Sequence, residues 1–444
     1  MSAHSWLAVL AASFLWPAAS GAERLPSPPL EWQAPLDLAT GRGERGRWQQ
    51  NDSRYDFVDD PSVALSERGE AVVAWVDQAK KDVFLQRFSA EGRGLLSEPA
   101  DVSRSPATFS WLPRVAMVPG APDKLLVAWQ EIIFSGGSHG GDILFARSDD
   151  GGRSFSAPLN LSASVAGDGK GRISRDVWHN GSFDLVAGPG GQVHVAWTEY
   201  EGRLWSSRSV DGGKTFSIPL RIAGGAATPA RAPSLALGVD GALYLAWTVG
   251  ENSGADIQLA KSVDGGRTFS HPRTVAPSRT HSDAPKLVVD GAGVLHLVYA
   301  ESSGGPAAGY HIRYASSSDG GRSFTPSRSI SAALPANARS AAYPHLAVDG
   351  RQRLYVLAEL YEHPRQPPRG LALMVSPDGG KNFASSVPVP GSADPAGGFN
   401  GSSQGLLMRK LAVNRSGAVA IVNSSLKPAA HSRVWLVRGR TADR

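Results

Sequence analysis

The stretch KSVDGGRTFS, Lys261–Ser270, belongs to a set of five closely related decapeptides in this chain. The other copies are RSDDGGRSFS from Arg147, RSVDGGKTFS from Arg208, SSSDGGRSFT from Ser316 and VSPDGGKNFA from Val375. Aspartate and serine side chains bond readily to nearby backbone N–H groups, and adjacent glycines adopt left-handed conformations without steric cost. The decapeptide therefore predicts a tight turn of fixed geometry between two strands, with its phenylalanine folded back onto the sheet.

Each decapeptide ends a longer repeat, which is clearest in Ala232–Ala276. That segment contains four short apolar runs separated by turn residues, a pattern typical of four antiparallel strands. The second run ends in tryptophan in four copies, at Trp75, Trp129, Trp197 and Trp247. Repeats of about 50–60 residues with four strands each indicate a β-propeller, in which neighbouring blades cover each other's faces. We expect the tryptophans to pack between blades.

The two ends of the chain predict how the ring closes. The seventh copy, which begins with RKLAVN at Arg409, ends after three strands at Val434–Gly439. WQAPLDLA, Trp32–Ala39, resembles the fourth-strand segment FSAPLNLS, Phe155–Ser162. The N-terminal strand is therefore predicted to complete the last blade and to remove two open sheet edges. We predict one all-β domain, residues 23–444, with seven four-stranded blades; six blades with accessory strands is the alternative.

Composition and the N-terminus limit the class of protein. The formal charge is +5 without a dense basic run, so no nucleic-acid partner is expected. Residues 1–22 form an apolar run followed by small residues at Ser20 and Ala22, which predicts a signal peptide and a periplasmic or secreted protein; a membrane anchor is the alternative. No membrane span is expected after cleavage, and the protein is expected to be a monomer. The chain has no cysteine and no zinc-spaced histidines or phosphate loop, so no metal or cofactor is expected.

The decapeptide is the Asp box, and nearly the whole mature chain resembles the Asp-box (BNR-repeat) sialidase-like β-propellers. The resemblance implies that the boxes lie on the face opposite the binding site, so their aspartates are predicted to be structural: Asp150, Asp211, Asp264, Asp319 and Asp378. It also implies the chemistry of a sialidase, with three arginines on the substrate carboxylate, a tyrosine nucleophile with a glutamate partner, and an aspartate as acid and base. The Arg-Ile-Pro motif expected in the first blade is Asp59-Asp60-Pro61 here, so no catalytic residue can be carried over.

The candidate binding face is defined by strand direction. Loops leading into first strands and loops leaving second strands share one face, and the ligands of propellers usually bind around its centre. The candidate ligand-binding residues on these loops are Arg175, Asp176, His179, Glu199, Tyr200, Arg231, His281, Asp283, Glu301, Arg339, Tyr343 and Glu359. Three of the arginines, Arg175, Arg231 and Arg339, could converge on an anion, and the glutamates could ring a cation or sugar hydroxyls or simply face solvent.

These observations favour a protein that binds an extracellular glycan or protein partner through its central face. The alternative is a sialidase-like exo-glycoside hydrolase whose catalytic motif has departed from the family pattern, so whether the protein is an enzyme stays open. A hydrolase would need a carboxylate pair or a glutamate–tyrosine pair in the central depression, near Glu199, Glu301 or Glu359. A purely structural scaffold is the third possibility.

Overall fold

The computed structural model describes residues 30–49, 51–131, 141–162, 182–199, 202–250, 254–275, 277–278, 280–305, 308–364, 366–393 and 409–441. These residues form strands joined by turns, with one short 3-10 helix at Pro189–Gly191. The strands of the first half are β1 (Leu30–Trp32), β2 (Leu36–Gly41), β3 (Glu44–Arg45), β4 (Tyr55–Asp56), β5 (Val58–Leu65), β6 (Ala71–Asp77), β7 (Asp82–Phe88), β8 (Ala100–Asp101), β9 (Ser110–Val118), β10 (Ala121–Glu131), β11 (Asp142–Ser148), β12 (Leu159–Asn160), β13 (Phe183–Ala187), β14 (Val193–Thr198), β15 (Leu204–Ser209) and β16 (Leu220–Ala223). The strands of the second half are β17 (Ala230–Leu237), β18 (Leu243–Val249), β19 (Asp256–Ser262), β20 (Arg273–Val275), β21 (His281–Val289), β22 (Leu295–Ser302), β23 (His311–Ser317), β24 (Arg328–Ser329), β25 (Ser340–Val348), β26 (Leu354–Tyr361), β27 (Gly370–Ser376), β28 (Val387–Pro388), β29 (Leu411–Val413), β30 (Ala418–Lys427) and β31 (His431–Thr441).

Apart from β3 and β4, which pair with each other, the strands form seven antiparallel sheets that follow one another around a ring. Blades 1 to 6 are β5–β8, β9–β12, β13–β16, β17–β20, β21–β24 and β25–β28, each with its four strands in sequence order. Blade 7 contains β29, β30 and β31 together with the N-terminal strands. The prediction of a seven-bladed all-β propeller is therefore confirmed, and six blades with accessory strands is not what the chain forms.

The N-terminal strand closes the ring, as predicted. Leu30 pairs with Thr441 and Leu36 with Leu436, so β1 and β2 both lie along β31. The predicted single strand is divided because Pro35, which has no N–H to donate, interrupts the ladder between them. A second closure lies between first strands, where the Val63 amide of blade 1 donates to the Arg409 carbonyl of blade 7 at 3.1 Å.

Apolar side chains between adjacent blades form the core. Trp129 of blade 2 packs with Val72 and Ala74 of blade 1, and Trp197 of blade 3 packs with Leu126 of blade 2. Trp129, Trp197, Trp247 and Trp435 are all fully buried. The second-strand tryptophans therefore pack between blades, where each can remove up to about 200 Å² of aromatic surface from water.

Five of the seven first strands contain the same bulge, at the residue before a proline. In each of them the backbone φ is positive: 52° at Asp60, 56° at Leu112, 52° at Ala232, 56° at Ala284 and 49° at Tyr343. Non-glycine residues rarely adopt this conformation, and a bulge turns a strand and re-aims the side chains beside it. The bulges lie where the first strands begin, at the rim of the central channel.

The Asp boxes join third and fourth strands as the sequence predicts. In blade 3, Ser209 Oγ donates to Asp211 Oδ1 at 2.7 Å, the Thr215 amide donates to the same oxygen at 3.0 Å, and Thr215 Oγ1 donates to Oδ2 at 2.6 Å. These bonds hold the pKa of Asp211 below its usual value. A Cβ on Gly213 would lie 2.6 Å from the ring of Phe145, so only glycine fits there. The serine-to-aspartate bond recurs at Asp150, Asp264, Asp319 and Asp378.

Candidate functional site

The two ends of the central channel differ in chemistry. We call the end where first strands begin and second strands end the loop face, and the end that carries the Asp boxes the box face. On the loop face, the starts of the first strands of blades 4, 5 and 6 and the second loop of blade 5 carry five polar or aromatic residues. We call them the central cluster: Arg231, His281, Asp283, Tyr310 and Tyr343.

A buried ion pair forms the centre of this cluster. Arg231 Nη2 lies 3.1 Å from Asp283 Oδ2, and Arg231 Nε donates to Asp283 Oδ1 at 3.2 Å. Thr248 Oγ1 also donates to Oδ1, at 2.9 Å. Burial opposes the negative charge on Asp283, but the charge of Arg231 and the bonds around it hold the pKa of Asp283 well below its usual value. The carboxylate is therefore ionised at neutral pH, and its side chain is 13% exposed against 6% for Arg231.

His281 supports this ion pair from behind. Its Nε2 lies 3.7 Å from Asp283 Oδ2 and 3.4 Å from Arg231 Nη2, and its side chain is fully buried. The ring packs edge-to-face on Tyr310, with centroids 6.0 Å apart. Because His281 is buried and Asp283 is partly exposed, a ligand on the loop face can reach the carboxylate and the tyrosine but not the imidazole.

Tyr343 is the strained residue of the cluster. It has a φ of 49°, is partly buried, and its hydroxyl has no hydrogen bond within the described residues. Burial and the nearby carboxylates of Asp283 and Glu359 raise the pKa of Tyr343, so the phenol stays protonated at neutral pH. Burial, together with Asp283, raises the pKa of Tyr310 in the same way. Both phenols are therefore hydrogen-bond donors.

A second buried group lies beside Tyr343. The rings of Tyr343 and Tyr361 are in edge contact with centroids 6.4 Å apart, and the Tyr361 hydroxyl donates to Glu359 Oε2 at 2.9 Å. The other oxygen of Glu359 forms an ion pair with Nζ of Lys410, and both charged groups are almost completely buried. Burial raises the pKa of Tyr361 well above its usual value, with Glu359 acting in the same direction. Tyr361 is thus a donor to a paired carboxylate.

The remaining predicted residues are distributed among separate sites. Glu301 is partly exposed and lies 3.2 Å from Arg313 Nε, and Glu199 accepts the indole N–H of Trp197 at 2.9 Å. The side chain of Arg339 is exposed and contacts neither Arg231 nor the ion pair. Arg175, Asp176, His179 and Tyr200 lie outside the described residues.

The described acidic residues that follow second strands have separate partners. Glu131 accepts from Trp129 Nε1 at 2.9 Å and from Ser110 Oγ at 2.7 Å, and burial raises its pKa. Together with the partners of Glu199 and Glu359, this shows that such acids bond to groups of their own blade or the next. In the part of the chain that the structure describes, no set of three or more metal-ligating side chains comes together.

An aromatic patch lies on the loop face over blades 1 and 2. The hairpin of β3 and β4 places Trp48 5.7 Å from Trp111, and Tyr55 lies 5.6 Å from Phe109, measured between ring centroids. Trp48, Tyr55 and Trp111 are partly exposed, whereas Phe109 is buried. We call Trp48, Tyr55 and Trp111 the aromatic patch; it offers ring faces at the channel rim.

Tyr361 was expected on this face beside Glu359, whereas Tyr310 and Lys410 were not predicted from the sequence. Tyr310 lies in the loop that leaves the second strand of blade 5, so the rule that selected Glu301 could have selected it as well. Lys410 has no such signal, because its contact with Glu359 spans 51 residues. Arg231-Ala232-Pro233 has the arginine-x-proline spacing sought in blade 1, but it lies in blade 4.

The chain belongs to the BNR repeat-like domain family, which matches residues 123–389. Among solved structures it is similar to an ulvan lyase bound to -[GlcA(1-4)Rha3S]-, with a TM-score of 0.56 and 12% identity over 86% of this chain and 94% of that one. It is also similar to the polysaccharide lyase Uly1, with a TM-score of 0.56 and 9% identity over 93% and 100% of the two chains. A protein of unknown function from Dyadobacter fermentans DSM 18053 has a TM-score of 0.49 and 13% identity over 92% and 100%. At these identities the likeness to the two lyases, with TM-scores above 0.5, shows the fold alone.

No curated protein sequence matches the chain. Among the described residues there is also no helix with the length and hydropathy of a membrane span.

Proposed function

We propose that this protein is an exported BNR propeller that binds an extracellular glycan at the central cluster of its loop face. The main support for the proposal is the environment of Tyr343. Its φ of 49° belongs to the bulge that five first strands share, so what distinguishes Tyr343 is the partly exposed phenol that this bulge presents on the loop face. Its hydroxyl contributes no hydrogen bond to the described fold, yet it lies beside an ionised carboxylate and two further phenols. Export is the expectation from residues 1–22, and it follows from their sequence pattern alone.

The chemistry of the cluster suits sugar hydroxyl groups. Asp283 is a partly exposed acceptor whose charge is fixed by Arg231, so it need not recruit another cation. Tyr343 and Tyr310 are protonated phenols that can donate to a ring or glycosidic oxygen. Donors and acceptors held by buried neighbours are preorganised, which lowers the entropic cost of binding.

The aromatic patch extends the same surface toward blades 1 and 2. Partly exposed indole and phenol rings have polarisable faces that pack against the C–H groups of sugar rings. The two polysaccharide lyases named above share the fold, and their substrates give no residue-level support to this chain. The proposal therefore depends on the cluster and the patch.

A sialidase-like hydrolase is the second candidate, because Tyr361 and Glu359 form a tyrosine–glutamate pair at 2.9 Å. A nucleophilic tyrosine needs a carboxylate that can take its proton and a position open to substrate. Here the pKa of Tyr361 is raised, both residues are buried, and Glu359 is already paired with Lys410. The side chain of Arg339 is exposed whereas that of Arg231 is buried, and Arg175 lies outside the described residues, so no arginine triad is seen among them. The geometry favours binding.

The proposal is tested by screening purified protein against an array of neutral and acidic oligosaccharides, followed by calorimetry on the best binder. Tyr343→Phe removes one hydroxyl that forms no hydrogen bond with the residues the structure describes, so we expect a nearly unchanged melting temperature and affinity weakened by about tenfold. Tyr355→Phe is the matched control. Its hydroxyl bonds to Asp349 Oδ2 at 3.0 Å inside blade 6, so it should lose stability and keep affinity.

Three outcomes would count against the proposal. The array could show no binder, or Tyr343→Phe could bind as tightly as the wild type. Hydrolysis of a fluorogenic sialoside that is lost in Tyr361→Phe but kept in Tyr343→Phe would establish the hydrolase instead.

A further inference from the structure

A cavity of about 410 Å³ occupies the middle of the ring below the central cluster. First strands of all seven blades line it. These strands run from the loop face to the box face, so the cavity opens toward the box face and its floor lies deep in the channel. We call it the funnel. Its wall is apolar, with Leu65, Met117, Leu237, Val289, Val348 and Val413, and its floor is charged, with Arg114, Asp184, Lys286, His345 and Arg409.

In most blades, the first-strand residue at the depth of the floor bonds its blade to the next one. In four blades the side chain at this position accepts a hydrogen bond from a backbone amide of the next blade. The acceptors are Ser62, Asp184, Ser234 and His345, with distances of 3.2, 2.9, 3.0 and 3.4 Å. Blades 2 and 5 instead carry Arg114 and Lys286, which have no acceptor atoms. These two cations therefore have no part in this ring of bonds.

The charges on the floor do not balance within the described residues. Arg114, Lys286 and Arg409 contribute three positive charges, and Asp184 contributes one negative charge. Asp184 is paired with Arg409. Arg114 is 2% exposed, yet its polar contacts in this part of the chain are its own Pro113 carbonyl at 3.2 Å and the ring face of Phe183 at 5.2 Å. Lys286 forms no hydrogen bond or ion pair with any residue that the structure describes.

Burial lowers the pKa values of Arg114 and Lys286. It lowers the pKa of Arg114 to about 10, opposed by the charge of Asp184 and assisted by that of Arg409. It lowers the pKa of Lys286 to about 8, again opposed by Asp184 and assisted by the two arginines. Both groups stay largely protonated at pH 7, and an anion beside them would stabilise their charged forms.

His345 lies on the same floor. Its Nδ1 accepts the Lys410 amide at 3.4 Å. Burial and the surrounding cations hold the pKa of His345 well below its usual value, so the ring stays neutral and adds no further positive charge to the floor.

We propose that the funnel binds a small organic anion, whose carboxylate or sulfate group bonds to the accessible cations Lys286 and Arg409, with the buried charge of Arg114 behind them, while its apolar body lies along the wall. Charge-assisted bonds from a guanidinium and an ammonium are the preferred partners of such oxyanions. The volume is in the range of small-molecule sites, and an apolar lining with a few convergent polar groups is their usual composition. This site is on the opposite side of the ring from the proposed glycan site and does not depend on it.

The test is calorimetry of the full mature chain at pH 7 and constant ionic strength with four probes: octanoate, octanol, acetate and inorganic sulfate. We expect one octanoate per chain, bound about tenfold or more tightly than any of the other three. Lys286→Met should weaken octanoate binding by about tenfold or more. Lys214→Met, which removes an exposed lysine of an Asp box on the same face, should leave it unchanged.

A second variant and a second readout keep the test decisive if Lys286→Met folds poorly. Leu237→Trp fills the partly exposed wall without touching a charge and should abolish octanoate binding. Because the pKa of Lys286 is about 8 and anion binding raises it, binding at pH 8 should take up about half a proton, seen as a dependence of heat on buffer ionisation enthalpy. Octanol binding as tightly as octanoate, sulfate binding equally well, or both variants retaining wild-type affinity would each overturn the proposal.

Discussion

The ion pair between Lys410 and Glu359 gives the sharpest stability prediction. Both side chains are at most 1% exposed, and they join blade 7 to blade 6. Lys410→Met leaves Glu359 as a buried carboxylate without its cation, and breaking such a pair costs about 3–5 kcal/mol. For a domain of about 400 residues, with a melting entropy of about 2.1 cal/mol/K per residue, the melting temperature should fall by about 4–6 °C.

The neutral double variant separates the charge from the packing. Glu359→Gln alone leaves Lys410 buried and unpaired and should cost a similar amount, although the new amide oxygen can still accept the Tyr361 hydroxyl. We expect Lys410→Met combined with Glu359→Gln to recover most of the loss, because no buried charge remains. Lys427→Met, which changes an exposed lysine of the same blade, is the control and should shift the melting temperature by less than about 1 °C.

Differential scanning calorimetry at pH 7 measures the wild type and these four variants, at ionic strengths of about 0.1 M and about 1 M. Salt should leave the differences nearly unchanged because the pair is buried and screening acts mainly on exposed charges. A loss below about 1 kcal/mol for Lys410→Met, or a double variant as unstable as the two single variants combined, would refute the reasoning.

Three further predictions follow from the closure and the turns. Deleting residues 30–41 exposes the edge of β31, so we expect a lower melting temperature in calorimetry and larger species on size-exclusion chromatography. A control variant that lacks only residues 23–29 should match the parent protein. A deletion variant that stays monomeric and equally stable would contradict the closure. Ser209→Ala removes the acceptor of the Gly213 amide and should lower the free energy of unfolding, measured with denaturant, by about 1–3 kcal/mol. Val210→Ala, at an exposed position of the same turn, should lower it by less than about 0.5 kcal/mol. Equal effects of the two substitutions would argue that the turn does not stabilise the fold. Partial burial opposes the charge on Asp150, but bonds from Ser154 and Ser148 lower the pKa of Asp150 to about 2, below its unfolded value of about 3.9. The stability that ionised Asp150 contributes is therefore complete above about pH 4 and is lost as the pH falls toward 2. The difference in melting temperature between the wild type and Asp150→Asn should shrink over that range. A difference that stays constant down to about pH 2 would contradict the lowered pKa of Asp150.

Much of the fold could be predicted because its determinants are local. The Ser-x-Asp-Gly-Gly turn fixes its own geometry within a few residues, as Ser209, Asp211 and Gly213 show. The apolar alternation around Trp129 and Trp197 identifies strands that must be covered on both faces. A missing fourth strand at one end and an extra strand at the other then indicate how the ring closes. The break at Pro35 is a detail that the same reasoning could have supplied.

The candidate site was only partly predictable for a physical reason. Arg231, His281 and Asp283 were selected because topology places first-strand loops on one face, and the structure brings these three together. Tyr343 was selected on the same ground, but the raised pKa that burial, Asp283 and Glu359 give its phenol depends on residues brought together only in the folded chain. Arg339, on a comparable loop, instead points its side chain to solvent.

The sequence by itself determined the number of blades, the chemistry of their turns and the strand that closes them, because each depends on residues near one another in the chain. Tertiary structure decided which charges meet. Lys410 finds Glu359 across 51 residues, and Arg409 finds Asp184 across 225. Arg114 and Lys286 look like ordinary strand residues until seven first strands are bent around one axis. A one-residue change of register would turn each of them to the other side of its strand. Only the closed ring therefore shows that these cations face a common cavity.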